Sequence, residues 1–241
     1  MLVRLNKFLS MQGVASRREA DRMIQEGRVQ VNGRMVEDLG VKIEAEGDRV
    51  AVDGRLIRSG RSLIYLALNK PPGYLVTRDD PEGRPTVMAL LPKLRKAVFP
   101  VGRLDFDSEG LLLLTNDGEL AFRLTHPRFE IKKVYAVEVE GEISAEEAER
   151  LEKGVRIDGR RTAPARVRVL GRGPRGSLIQ IEIHEGRKRE VRRMMDLIGH
   201  RVRSLKRIEF AGLELLSLPL GQWRHLRHDE VQALRRRAGL E

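Results

Sequence analysis

The chain contains no cysteine, which excludes disulfides and every thiolate metal site. Its five histidines, at 126, 184, 200, 225 and 228, show no metal-ligand spacing, so no metal is expected. No apolar run approaches the roughly 20 residues that a bilayer-spanning helix needs, so no membrane partner is expected. The opening residues, Met-Leu-Val-Arg-Leu-Asn-Lys, bring in charge before an apolar segment forms, unlike a secretory leader. A reducing cytoplasm is the expected setting. Tyrosine is scarce, with three in the chain, so each one near a charged motif merits inspection.

What is abundant is positive charge. The 241 residues carry a net charge of +11, which favours a polyanionic partner. Arginine outnumbers lysine 36 to 10, which fits thermal adaptation or genome bias and does not decide function. Nine basic residues fall between Arg187 and Arg207 against Glu190 and Asp196. Residues 1–54 balance nine basic against nine acidic side chains, but seven of those basic residues precede position 35. A 41% hydrophobic content fits a globular chain with room for one large or two smaller cores.

Residues 1–54 read as a small module. Leu5, Phe8 and Leu9 are spaced i, i+3, i+4, predicting a short amphipathic helix with Arg4 and Lys7 off its stripe. Ser16 and Glu19 form a capping-box pattern opening a second helix, with Ala20, Met23 and Ile24 inward. Arg28-Val-Gln-Val leads into Asn32-Gly33, a strong hairpin signal. Residues 55–62 are polar and Gly/Ser-containing, predicting a linker.

From residue 63 to 241 a second domain is expected. Strands are predicted over 63–68, stopped by Asn69-Lys70-Pro71-Pro72-Gly73, and again over 74–77, 111–115, 133–139, 164–170, 177–184 and much of 201–216. Helices are predicted over 119–124, from the Ser144 capping box to about 153, over 188–198, and over 227–237. The elements lack a strict βαβ rhythm, so the fold class is α+β around a largely antiparallel sheet.

Three acids, Asp105, Asp107 and Glu109, share the loop between Gly102 and Gly110. Asp105 stands between Leu104 and Phe106 and follows Leu104 after Arg103. A carboxylate there serves as nucleophile, base or loop cap, and spacing does not choose among these. On the 188–198 helix, Val191, Met194, Met195 and Ile198 form the apolar stripe. At about 100° per residue, Arg189 and Arg193 fall opposite that stripe, solvated or on phosphate, while Lys188 and Arg192 flank it. A flanking arginine can lay its stem on the core and carry its guanidinium to a partly buried carboxylate, which nominates Arg192.

The helix–helix–hairpin order of residues 1–54, with its Arg-Leu-Asn-Lys-Phe-Leu start and Arg-Val-Gln-Val-Asn-Gly strand, resembles the αL RNA-binding module of ribosomal small-subunit protein S-four. That resemblance implies phosphate contacts from Arg4, Lys7, Arg17, Arg18 and Arg28. The Gly-Arg-Leu-Asp turn before Gly-Leu-Leu-Leu-Leu-Thr-Asn-Asp-Gly, the Lys-x-Tyr strand and the Gly-Arg-x-x-x-x-Arg pattern resemble the ribosomal RNA pseudouridine synthases. The resemblance implies isomerisation of uridine to pseudouridine without a cofactor. It makes Asp105 the catalytic carboxylate, sets Tyr135 against the target base and pairs Arg192 with Asp105. It also puts Leu205 under the base and leaves Arg103, Lys188 and Arg189 to the RNA. Lys70-Pro71-Pro72-Gly73 matches a motif read as structural, supporting the floor of the site.

The expected partner is ribosomal RNA or a ribosome-assembly intermediate, acted on by a monomer. The Leu-Thr-Asn-Asp-Gly-Glu-Leu and Leu-Thr-His-Pro wording resembles the large-subunit enzymes of that family more than the small-subunit one, which implies large-subunit (23S) RNA. The same chemistry on 16S RNA and a non-catalytic rRNA-binding or assembly protein are the alternatives. A glycosidase would need a second acid opposite Asp105, and no motif supplies one.

Overall fold

The computed structural model describes residues 2–57, 62–95, 97–174 and 176–241. The chain divides into two compact units, Met1–Ile64 with Asn116–Gly118, and Tyr65–Thr115 with Glu119–Glu241.

In the first unit β1 (Leu2–Arg4) runs directly into α1 (Leu5–Met11), followed by α2 (Arg17–Gln25). Leu5, Phe8 and Leu9 form a core with Ala20, Met23 and Ile24, joined by Val29, Ile43, Val50 and Val52 from the strands. The Ser16 hydroxyl accepts from the Glu19 amide at 3.2 Å, as its sequence pattern predicts. The reciprocal half of the box is replaced, because the Glu19 carboxylate turns to the Arg22 guanidinium at 2.7 Å. Asn32 and Gly33, both at positive φ, turn β2 (Val29–Val31) into β3 (Arg34–Met35). Then come β4 (Lys42–Glu44), which pairs with β1, and β5 (Val50–Val52) and β6 (Arg55–Leu56), giving a second sheet ordered β3-β2-β5-β6. Arg55 and Leu56, expected to open a linker, instead complete this sheet. Residues 58–61 of that expected linker lie outside the described residues.

The second unit begins with β7 (Tyr65–Lys70), which runs two residues past the predicted strand before Pro71 ends it. The expected strand over 74–77 does not form; Leu75 makes only an isolated bridge to Thr86. There follow β8 (Phe99–Val101), β9 (Glu109–Thr115), α3 (Gly118–Thr125), a 3-10 turn over Pro127–Phe129 and β10 (Lys133–Val139). Next are α4 (Ala145–Glu152), with the full Ser144–Glu147 capping box, and a small hairpin of β11 (Arg156–Ile157) and β12 (Arg160–Arg161). The chain ends with β13 (Arg166–Gly173), β14 (Gly176–Ile183), α5 (Glu190–Leu197), β15 (Val202–Phe210), β16 (Leu213–Glu214), β17 (Trp223–His225) and α6 (His228–Arg237).

Nine of these strands form one sheet ordered β13-β14-β10-β15-β9-β7-β17, with β16 on β15 and β8 on β9. Every pairing is antiparallel except that of β15 with β9, so the unit is α+β with a largely antiparallel sheet. The Leu111 and Leu113 side chains of β9, with Val101, Leu120, Leu124, Ile131 and Phe210, fill a buried core beside the sheet.

The single parallel joint depends on a glycine. Gly110, at φ 106°, pairs with Arg207, and a Cβ placed on it would stand 2.3 Å from the Arg207 carbonyl oxygen and 2.7 Å from its nitrogen. Both obstacles are backbone and cannot rotate aside. Gly110→Ala is expected to destabilise the second unit by about 3 kcal/mol or more, read as a lowered urea midpoint. An unchanged midpoint would show that the strands can spread at this point.

Candidate active site

Three strand ends converge where the sheet changes direction. Lys70 closes β7 opposite Gly110, the loop 102–108 joins β8 to β9, and β10 and β15 run alongside. Lys70 is fully buried. Its ammonium donates to the carbonyls of Ser108 at 2.7 Å, Pro71 at 2.9 Å and Phe106 at 3.4 Å. The Gly73 amide also donates to Phe106 O at 2.8 Å, and the Ser108 amide to Asp105 O at 3.1 Å. These bonds hold the loop through its backbone, and among the described residues the Asp105 side chain makes no hydrogen bond that fastens it. Burial pushes the Lys70 pKa down to about 8, opposed by the charges of Asp107, Asp105 and Glu109.

Asp105 lines a cavity of about 610 Å3. Lys133 and Tyr135 enter it from β10, Leu205 and Arg207 from β15, and residues 183–191 close another side. The period of two along a strand explains each pair: 133 and 135 share a face, as do 205 and 207. Tyr135 sits directly opposite Arg207 in the β10–β15 register. The Arg207 guanidinium is fully buried, donates from Nε to Leu111 O at 2.7 Å, lies 4.7 Å over the Phe210 ring and faces Tyr135. Burial lowers its pKa, and Tyr135 opposes that shift. Lys133 Nζ donates to Glu185 O at 2.9 Å and Ile131 O at 3.0 Å; burial, then the Arg207 charge, pushes its pKa down to about 8. Burial raises the pKa of Glu190, whose carboxylate accepts from the Arg187 amide at the start of α5.

The structure gathers Asp105, Tyr135, Leu205, Arg103, Lys188 and Arg189 around this cavity, with Arg103, Lys188 and Arg189 exposed. It corrects the partner of Arg192. That guanidinium does not pair with Asp105. It donates to Asp107 O at 3.1 Å and Ser108 Oγ at 3.4 Å, and stands 3.2 Å from Asp107 Oδ2. The cation beside Asp105 is Arg189, at 3.8 Å, which also makes a two-pronged contact with Asp107 at 3.2 and 3.3 Å. Arg192 reaches the loop at Asp107 and Ser108, so the carboxylate within its range is that of Asp107. Arg189 comes to the site because α5 starts at Glu190 and Arg189 precedes it at φ 51°, so a wheel drawn through 189 misplaces it. Partial burial pushes the Asp107 carboxyl up, but the Arg189 hydrogen bonds and the Arg192 and Arg189 charges outweigh it and hold it below its ordinary range. Arg193, also expected to be solvated or on phosphate, is paired with Asp158.

In the first unit Arg4, Arg17 and Arg18 are exposed. Lys7 is half-buried. Arg28 is held by Asp53 at 2.7 and 3.0 Å and by Glu26 at 3.2 Å, which occupies the fork expected on phosphate. Among the described residues no group of three or more His, Asp or Glu side chains is placed to hold a metal.

Sequence reasoning missed Lys133, Glu190 and Arg207, and gave Lys70 only a general structural part. Strand period would have found two of them, since Lys133 shares the face of Tyr135 and Arg207 that of Leu205. The cavity can take a planar group against the Tyr135 ring, with a carboxylate at one edge and cations at the rim for a charged backbone.

Comparison with known proteins follows the same division. The family described as RNA pseudouridylate synthase matches residues 64–197, and the S4 domain matches residues 3–50. A protein of Aquifex aeolicus described as an uncharacterized RNA pseudouridine synthase is 44% identical over 242 residues, covering all of this chain and 97% of that one. Ribosomal large subunit pseudouridine synthase B of Bacillus subtilis is 44% identical over 234 residues, covering 96% and 95%. A solved structure described as a pseudouridylate synthase superposes with a TM-score of 0.70 at 30% identity, covering 96% of this chain and 99% of that one.

Between about pH 8 and its ordinary value of 10.5, Lys70 binds fewer protons folded than unfolded. Its contribution to stability therefore rises as pH climbs through that window and is constant below it. Urea unfolding on either side of pH 8 should show a smaller gain in Lys70→Met than in the wild type; an equal gain would mean an ordinary pKa.

Proposed function

The chain belongs to the RNA pseudouridylate synthase family and carries an S4 domain ahead of its catalytic domain, and on that premise we propose that it isomerises specific uridines of large-subunit ribosomal RNA. The choice of RNA is supported by relatives named for the large ribosomal subunit. We take the enzyme to act in the cytoplasm, as a monomer, on ribosomal RNA or an assembly intermediate.

The observation that carries this reading is the placing of Asp105. Its side chain lines the cleft together with Tyr135, while its loop is secured by other groups. The isomerisation breaks the N1–C1′ bond of uridine, turns the base, forms the C5–C1′ bond, loses the C5 proton and gains one at N1. The composition of the nucleotide is unchanged. The requirements are a uridine taken out of the stack, a carboxylate to start the exchange, and walls that keep the freed uracil in place. Asp105 supplies the carboxylate, and the Arg189 guanidinium stands 3.8 Å from it. The Tyr135 ring holds the base face, and its hydroxyl, set beside Arg207, is suited to help remove the C5 proton. Arg103 and Lys188 at the rim meet the phosphates on either side.

Arg4, Arg17 and Arg18 supply the grip of the S4 domain on folded RNA. Arg28 fastens β2 to the Asp53 turn instead.

Two measurements test this. With C5-tritiated ribosomal RNA, Asp105→Asn should lower tritium release at least about 1,000-fold while RNA affinity stays within a few-fold. Release close to the wild-type rate would move the catalytic role to Asp107. Replacing Arg4, Arg17 and Arg18 together by Gln should reduce the slope of log affinity against log salt by about two to three. An unchanged slope would remove these residues from the phosphate contacts.

A further inference from the structure

One cluster at the cavity has no part in the chemistry above. His126 and Pro127 line the cavity, and around them gather Phe122 from α3 and Phe129 from the 3-10 turn. Phe122 and His126 lie one helical turn apart with ring centres 5.0 Å apart, and Phe129 meets Phe122 edge-on at 5.9 Å. The Arg128 guanidinium lies over both phenyl rings, 4.5 Å from Phe129 and 5.3 Å from Phe122. His126 Nδ1 accepts from the Arg128 amide, which leaves the neutral ring's proton on Nε2.

Two contrasts separate this cluster from ordinary packing. Phe129 packs on the core beside the sheet, but Phe122 does not and is 42% exposed. Arg123 also lies over Phe129, but its donors are committed to Glu119 and to the carbonyls of Ala238 and Gly239. Arg128 makes no salt bridge with any described residue and keeps its fork for an anion. A partly exposed phenyl ring, a guanidinium without a salt bridge to any described residue, and adjacency through His126 and Pro127 to a nucleotide-sized cavity together match one occupant, a nucleobase with its phosphate.

We infer that Phe122 and Arg128 form a stacking platform for an unpaired base next to the target uridine, with Phe122 covering the base face and Arg128 meeting the adjoining phosphate. This rests on the reading of the cavity as a uridine site. It makes the enzyme prefer uridines whose neighbour is also free of pairing, in a loop or bulge.

The test uses the full chain with two probes of equal charge, a ten-nucleotide oligouridylate and an abasic ribose-phosphate decamer. Phe122→Leu, whose melting curve reports intact folding, should bind the oligouridylate about ten-fold more weakly, the loss of one base–aromatic stack, while binding of the abasic probe is unchanged. Phe122→Trp should retain wild-type affinity and show tryptophan quenching on oligouridylate alone. On ribosomal RNA, Phe122→Leu should raise KM with kcat unchanged. Equal losses for both probes, no loss at all, or an unquenched Phe122→Trp would each overturn the platform. Wild-type protein inert towards ribosomal RNA would instead overturn the isomerase reading, and the probe titrations would still decide the platform.

Discussion

A single buried ammonium organises the working end of this protein. Lys70 leaves water completely and recovers its hydrogen bonds from three main-chain carbonyls, two of them inside the loop that carries Asp105. A buried charge without such partners would be strongly unfavourable, so strand and loop adopt their positions together or not at all. On the same loop, Asp107 takes the hydrogen bonds of Arg189 and the ion pair of Arg192. The division of labour is electrostatic. Asp107 absorbs the cations that position the loop, and Asp105 keeps its oxygens clear of close partners, with Arg189 at 3.8 Å.

Lys70, Arg192, Arg207 and Glu190, four of the buried ionisable side chains, surround the cavity or its loop, while Asp117, His200 and Glu230 are buried elsewhere. Elsewhere the sheet is filled with Leu, Val and Ile. Such a cluster is a poor route to stability and a good route to a fixed geometry, because each partner can be satisfied in only one arrangement. Perturbed pKa values at Lys70 and Lys133 are the counterpart of that arrangement.

Much of the architecture was legible in the residues, for reasons that can be named. The alternation over 133–139 marks β10 (Lys133–Val139) from end to end, and the Ser144 box marks the start of α4, because both signals are local. Signals that depend on distant partners were lost. The two prolines after Lys70 end the expected strand at Leu68, because they cannot continue a ladder; the strand nevertheless runs to Lys70, whose ammonium is held by the loop carbonyls of Phe106 and Ser108. The pairing of Arg192 with Asp105 follows from motif resemblance alone; the apolar stripe brings Arg192 to the loop but does not choose among its acids, and the structure places it on Asp107. The grouping of Asp105, Tyr135 and Leu205 at one cavity followed from motif resemblance; the strand period alone linked only neighbours on the same strand.

The parallel joint between β9 and β15 has a consequence in time. The residues it brings together, Gly110 and Arg207, are separated by most of the second unit, and Arg207 also supplies the neighbour of Tyr135. During synthesis the chain emerges from its amino end, so the RNA-gripping module and the Asp105 loop exist well before β15 does. Contacts this distant in sequence close late in folding, so the cavity is completed by one of the last strands to be made.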